Sequence, residues 1–201
     1  MNINGHDMVG QYFDNVRAGI GKIDQESVHS VARLLLEAYD EERMVFIFGN
    51  GGSAANASHF CGDMLKGASY GRQKGFRMVC LADNVPAVMA IANDISYDAV
   101  FVAQLQYLMR PGDLVIGISG SGNSPNVLKA IEFAKKHGAK TVGLCGFKGG
   151  KLNSLAEHSI LVPVDDMEVV EDAHLAILHC LKRTIMQELD AREGRSGGPS
   201  C

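Results

Sequence analysis

Five ionisable side chains in two helical stretches of this chain have the types and spacing to do chemistry. His59 and Asp63 are four residues apart, so on a helix they share one face, about 6 Å from one another. An imidazole and a carboxylate so placed suit two ligands of one metal ion, or a base and the partner that orients it. The same pair also occurs as an ordinary surface ion pair. Near the carboxyl end, Glu171, His174 and His179 stand among the apolar residues Val169, Val170, Ala173, Leu175, Ile177 and Leu178. Glu171 and His174 fall on one helix face. His179 follows Glu171 at a rise of about 12 Å on a straight helix, too far for both to reach one metal ion from an unbroken helix. Either a neighbouring subunit contributes one of them, or the helix start is irregular. Each histidine also has a plainer reading, as a buried side chain satisfied by a backbone carbonyl.

Two glycine-serine loops are the second chemical feature. Gly49-Asn50-Gly51-Gly52-Ser53 follows the apolar residues 45–48, and Ser119-Gly120-Ser121-Gly122-Asn123-Ser124 follows 114–118. Each leads from a strand pattern into a helical one. Glycine lets backbone approach a ligand closely, a helix start offers free N–H groups and partial positive charge, and serine adds a hydroxyl. Together they suggest a cradle for an anionic, polyhydroxylated ligand such as a sugar phosphate. Neither loop is a P-loop, because no Gly-Lys-Ser/Thr follows. The first lacks the spaced third glycine of a dinucleotide fingerprint, and Asp63 is too near to be its ribose acid. The first loop alone also reads as a tight strand-to-helix turn. The second carries more hydroxyls than a bare turn needs, and Ser124 is placed to cap the helix that follows.

These residues need a frame to hold them. Val9, Tyr12, Phe13 and Val16 keep a helical period, and a second helical segment begins at Ile23 and runs through Val28, Val31, Leu34, Leu35 and Ala38. Beyond residue 43, short apolar runs alternate with helical patterns. Strands are expected at 45–48, 78–81, 114–118, 141–145 and 159–162. Helices are expected at 54–66, 85–92, 98–108, 126–137, 151–156 and 169–192. Such alternation with non-alternating strands predicts an α/β fold, a doubly wound five-stranded parallel sheet flanked by helices. Ligands of such sheets bind beyond the carboxyl ends of the strands, where both loops lie. Residues 1–193 read as one unit, with N-terminal helices over 1–42 and the α/β core over 43–193. Residues 194–201 have the composition of a flexible tail.

The net charge of -4 and the lack of a basic stripe argue against nucleic acid as a partner. No apolar run approaches the roughly 20 residues that span a bilayer, and residues 1–10 lack a signal pattern, so a cytoplasmic protein without membrane contact is expected. The five cysteines form no CxxC pair and sit mostly in apolar segments; they read as reduced core residues.

In the two loops, in Ala92-Asn93-Asp94 and in Glu171-Asp172-Ala173-His174, the chain resembles the sugar isomerase (SIS) domain family, and within it the phosphoheptose isomerases. The likeness runs from Tyr12 to Leu189. It implies that Asn50, Gly51, Gly52, Ser53, Asn93, Asp94, Ser119, Gly120, Ser121, Ser124 and Glu171 surround a sugar phosphate. It also implies a Zn2+ site at His59, Asp63, Glu171 and His179, with Asp63, Glu171 and His179 taking part in proton transfer. Two positions depart from the family pattern: Asp63 stands where the family has glutamate, and Glu171 where it has glutamine. The first shortens a base by one methylene, and the second adds a negative charge that favours a divalent cation. The pair reads as compensatory.

The activity implied is an aldose-ketose isomerisation of sedoheptulose 7-phosphate to D-glycero-D-manno-heptose 7-phosphate through an enediol, in bacterial heptose biosynthesis. The competing readings are a non-catalytic phosphosugar-binding regulator or scaffold, of the kind that assists a replication initiator, and an isomerase of a different phosphosugar. The family also implies a homotetramer with sites at subunit interfaces. The apolar faces of the N-terminal helices, which a small sheet would not fully cover, point the same way.

Overall fold

Five apolar runs pair as one parallel sheet. The computed structural model describes residues 7–195. Its strands are β1 (Met44–Gly49), β2 (Arg77–Cys80), β3 (Leu114–Ser119), β4 (Lys140–Gly146) and β5 (His158–Val162), in the order β2-β1-β3-β4-β5. Register is continuous through the centre, where Ile47 faces Cys80 on one side and Ile116 on the other.

Successive side chains of a strand point to opposite faces, and here both faces are buried. Val45 and Ile47 join one core with Val31, Leu35, Phe60 and Leu181. Phe46 and Phe48 join the other with Phe101, Leu105 and Ile131, and the rings of Phe48 and Phe101 stack with centroids 4.8 Å apart. Two buried faces explain why the strands read as unbroken apolar runs. Each such side chain contributes about 1.5–3 kcal/mol by leaving water.

The first core is covered by α2 (Gln25–Asp40), α3 (Gly52–Gly62) and α8 (Met167–Glu193), with α1 (Met8–Ile20) laid against α8. The second is covered by α4 (Val85–Asp94), α5 (Val102–Leu108), α6 (Pro125–Lys136) and α7 (Leu152–Leu155). The strand order reverses direction between β1 and β3. The two glycine-serine loops lie at that switch point, beyond the carboxyl ends of those two strands, where ligands of such sheets bind.

Two helices differ from their sequence patterns. The helix expected over 54–66 is α-helical only to Gly62 and continues as a π-helical turn, Asp63–Ala68. Side chains take up carbonyls in that turn: Ser69 Oγ donates to the Met64 carbonyl and Arg72 Nε to that of Ala68. The helix expected over 98–108 divides into a 3-10 turn, Tyr97–Ala99, and α5. There Gln104 Nε2 donates to the carbonyl of Val100, and also to that of Leu81.

Cys61, Cys80 and Cys145 are buried free thiols, whereas Cys180 is exposed, against the core reading for it; Cys201 lies outside the described residues. Of the expected tail, Gly194 caps α8 in the left-handed conformation and the Arg195 guanidinium donates to the Gly71 carbonyl, so these two residues are held; 196–201 lie outside the described residues. Among the described residues no helix is long and apolar enough to cross a membrane.

Candidate active site and metal-binding group

The first loop leaves β1 at Gly49 and turns into α3 through Gly51, whose φ of +54° lies in the region open to glycine. Gly52 then begins α3 beneath the side chain of Glu171. A Cβ on Gly52 would stand 2.2 Å from Glu171 Oε2, so the carboxyl group packs directly on the glycine backbone. Asn56 braces the same contact, its Nδ2 donating to the Glu171 carbonyl at 2.9 Å.

At the far end of α3, three ionisable side chains converge. His59 comes from its last turn, Asp63 opens the π-helical turn, and His179 arrives from the middle of α8. The two Nε2 atoms are 2.9 Å apart, and each lies 3.7 Å from Asp63 Oδ2. One ligand atom from each residue falls within 4.8 Å of the others. The imidazoles are about half exposed (53% and 46%) while the Asp63 side chain is 24% exposed, so the group faces solvent from a partly buried carboxylate. Two imidazoles and one carboxylate form a donor set used by catalytic zinc, which leaves a further position for water or substrate. The residues present fit such an ion.

All three ligands come from one chain, and α8 runs unbroken past both Glu171 and His179. Neither a neighbouring subunit nor an irregular helix start is therefore needed to bring His179 to His59 and Asp63. Glu171 is the residue left apart: it lies over Gly52 at the opposite end of α3 and is not in the three-residue group. Burial raises its carboxyl pKa, and the neighbouring charges of Glu168 and Asp172 raise it further.

His174 takes the plainer role. It is fully buried, and its Nε2 donates to the Cys145 carbonyl at 3.1 Å. Burial lowers its pKa to about 4, so it is neutral at physiological pH.

The second loop carries no ionisable group. Ser119 Oγ and Ser124 Oγ are 3.0 Å apart, and Ser121 Oγ accepts from the Asn123 N–H. Ser124 occupies the N-cap position of α6, but its hydroxyl makes no capping bond and is turned to Ser119 instead. A neighbouring turn braces the loop from behind: Gly146 N–H donates to the Gly120 carbonyl and Leu152 N–H to that of Gly122, while the Lys151 N–H reaches Asn123 Oδ1.

Asn93 and Asp94 sit exposed at the carboxyl end of α4, bonded to one another at 2.8 Å. The turn after them reaches the first loop through Tyr97, whose hydroxyl donates to Asn50 Oδ1 at 2.9 Å. Asn50 is also paired with the buried Asn126. Sequence reading passed over Asn56, Tyr97 and Asn126. The available signal was an uncharged amide two residues into the helix behind the serine loop, a position where a polar side chain points back at loop and ligand.

The SIS domain model matches residues 11–146. A phosphoheptose isomerase of Helicobacter pylori (strain P12) is 41% identical over 157 residues, covering 78% of this chain and 81% of that protein. A phosphoheptose isomerase of Trichlorobacter lovleyi is 38% identical over 180 residues, covering 87% and 91%. The solved phosphoheptose isomerase of Neisseria gonorrhoeae superposes with a TM-score of 0.82 at 30% identity, over 89% of this chain and 97% of that one. With its fold, its two loops and its sequence all pointing one way, the chain belongs to the SIS domain family, in the group of the phosphoheptose isomerases.

Proposed function

We propose that this protein is an aldose-ketose isomerase that interconverts sedoheptulose 7-phosphate and D-glycero-D-manno-heptose 7-phosphate in heptose biosynthesis. The observation that carries the reading is the convergence of His59, Asp63 and His179 at the end of the helix that leaves the first loop, in a fold with a hydroxyl-rich loop at the neighbouring strand end. Such a group suits proton transfer or metal binding more than bare ligand binding, and relatives of nearly full length bear the name of this enzyme.

The second loop and the start of α6 grip the phosphate through hydroxyls and backbone N–H groups. That fixes the open-chain sugar so that its carbonyl end lies toward α3. His59, Asp63 and His179 would hold the divalent cation, Zn2+, with Glu171 at the edge of the site. When bound, the ion supplies Lewis-acid polarisation of the sugar carbonyl. The protein's own groups move the protons. Asp63 is the first choice to take the C1 proton of the ketose, and Glu171, a longer acid at the other end of α3, shares that role. Its raised pKa brings it nearer the range that suits a proton carrier. His179 is the first choice to protonate the carbonyl oxygen in the form in which its Nε2 carries a proton and His59 and Asp63 alone would hold the cation, since a metal-bound ring nitrogen has no proton to give. Return of the proton to C2 and loss of one from O1 complete the aldose.

The assembly we infer is a homotetramer with sites near subunit interfaces, in the cytoplasm. Supporting this, α1 leaves Val9, Phe13 and Ile20 exposed along one stripe, and α4 leaves Val85 and Met89 exposed on the helix that ends in Asn93 and Asp94.

The deciding experiment is NMR of the protein with sedoheptulose 7-phosphate in D2O, with and without zinc. An aldose heptose 7-phosphate labelled with deuterium at the transferred position is expected. Binding without turnover would overturn the isomerase reading in favour of a phosphosugar-binding protein.

A further inference from the structure

Asn126 is a primary amide only 1% exposed, on the second residue of α6, and neither the phosphate grip nor the three-ligand group uses it. Its Oδ1 accepts from the Val127 N–H and from Asn50 Nδ2, both at 2.9 Å, and its Nδ2 donates to Asn50 Oδ1 at 2.8 Å. The Val127 N–H settles which end of the amide is oxygen. The two amides therefore close on each other as a reciprocal pair. Asn50 Oδ1 takes its second bond from the Tyr97 hydroxyl, which fills both of its lone pairs.

Three segments meet in this network: the first loop, the helix behind the second loop, and the turn that follows Asn93 and Asp94. The β1–β3 ladder ends at Gly49 and Ile118. Past that point, the amide pair is the hydrogen-bonded link between the two loop regions among the described residues. Only an amide at each position makes it. A carboxylate on either side would lose the donor, and serine or threonine would fall short of the partner.

We propose that Asn126 is a positioning residue that acts through Asn50. It sets the first loop, and with it the first turn of α3, in register with the phosphate-gripping loop. A phosphate held at one end then places the carbonyl end of the same sugar against His59, Asp63 and His179. Asn50 serves as a strut in this arrangement, and the first loop meets the ligand through its backbone. This role rests on the isomerase reading given above.

The test is a double-mutant cycle on the full chain, with Asn50→Ala, Asn126→Ala and the pair. It reads kcat and KM for sedoheptulose 7-phosphate and hydrogen exchange of the amides at 50–55. Asn126→Ala is expected to lower kcat/KM by about 10- to 100-fold, as a misplacement near 1 Å does. Most of the loss should lie in kcat, because the phosphate grip is untouched. The double variant should be no worse than Asn50→Ala alone, and the loop amides should exchange faster. Additive losses, or unchanged exchange, would overturn the proposal.

Tyr97→Phe covers the case in which a change at the buried Asn126 prevents folding, since Tyr97 is exposed. It should cost about 2- to 10-fold, the worth of one hydrogen bond, and cost nothing further in the Asn50→Ala background. An additive cost again overturns the strut. If the wild-type protein fails to turn over sedoheptulose 7-phosphate, the functional reading falls. The exchange data then decide the strut alone: faster loop exchange in Asn126→Ala supports it, and unchanged exchange removes it.

Discussion

The loop after β1 and the loop after β3 stand at neighbouring strand ends, yet their surroundings are opposite in kind. The first leads within a few turns to His59, Asp63 and His179 and carries the Glu171 carboxyl on its glycine. The second is surrounded by hydroxyls and backbone and is braced by the turn after β4. The difference teaches a division of labour along an extended ligand. On the proposed function, charge that must change during the reaction is gathered at one end, and neutral donors suited to a fixed charge are gathered at the other. Neutral donors also suit the grip because they need no counter-ion when no phosphate is bound.

The comparison breaks most visibly at the ionisable end. Changing His59 or His179 to alanine should lower kcat by about 10³-fold or more, the scale of losing metal and acid-base help together. The same variants should lose tightly bound zinc when metal content is measured by elemental analysis. A His179→Ala protein that kept both zinc and turnover would end the assignment of this group. At the other loop, Ser119→Ala should raise KM by about 10-fold or more while kcat stays near wild type, because a hydrogen bond to a charged group is worth about 1.5–3 kcal/mol. A fall in kcat with KM unmoved would mean that the two loops do not divide the work as described.

The smallest effect concerns Glu171. Its folded-state pKa is raised, so the folded protein binds that proton more tightly than the unfolded chain does. The carboxyl is therefore best tolerated below its unfolded pKa, and stability is lost as pH rises through the folded value. Glu171→Gln should unfold at a slightly higher temperature than wild type at pH 8, by no more than about 2 °C since solvent screens a partly exposed group. The gap should close near pH 4. The same variant separates the two carboxylates kinetically. If Glu171→Gln left the rate untouched while Asp63→Asn abolished it, Glu171 would have no share in proton transfer.

The sheet was legible because each strand is buried on both faces and so appears as an unbroken apolar run; every expected strand is present with its ends moved by at most a residue or so. The loops were legible because glycine and serine gather there for reasons of backbone geometry. The change from α to π winding at Asp63 was not, since it leaves the apolar period intact and is accompanied by bonds from Ser69 and Arg72 to carbonyls that no local pattern announces. The rise along α8 set Glu171 and His179 apart, and in the structure only His179 stands with His59 and Asp63. What it left open was which of them meets His59 and Asp63, because that depends on how α3 crosses α8. The place of Asn126 at the start of α6 marked it as a polar position, but what it bonds to was not legible, because its partner lies 76 positions earlier in the chain.

The contact between Gly52 and Glu171 has a consequence for how this protein drifts. The nearest atoms that a methyl group at position 52 would meet all belong to the Glu171 carboxyl, and alanine is the better helix former by up to about 1 kcal/mol. Helix propensity alone therefore favours alanine at position 52, and the Glu171 carboxyl is what stands in its way. What alanine would do is swing the carboxyl away from its seat. The two positions are therefore coupled through this one contact, and the effect of a change at either depends on what stands at the other. A lineage that first gives up the acid at 171 is free to gain alanine at 52, and once it has done so, restoring the acid alone no longer restores its place.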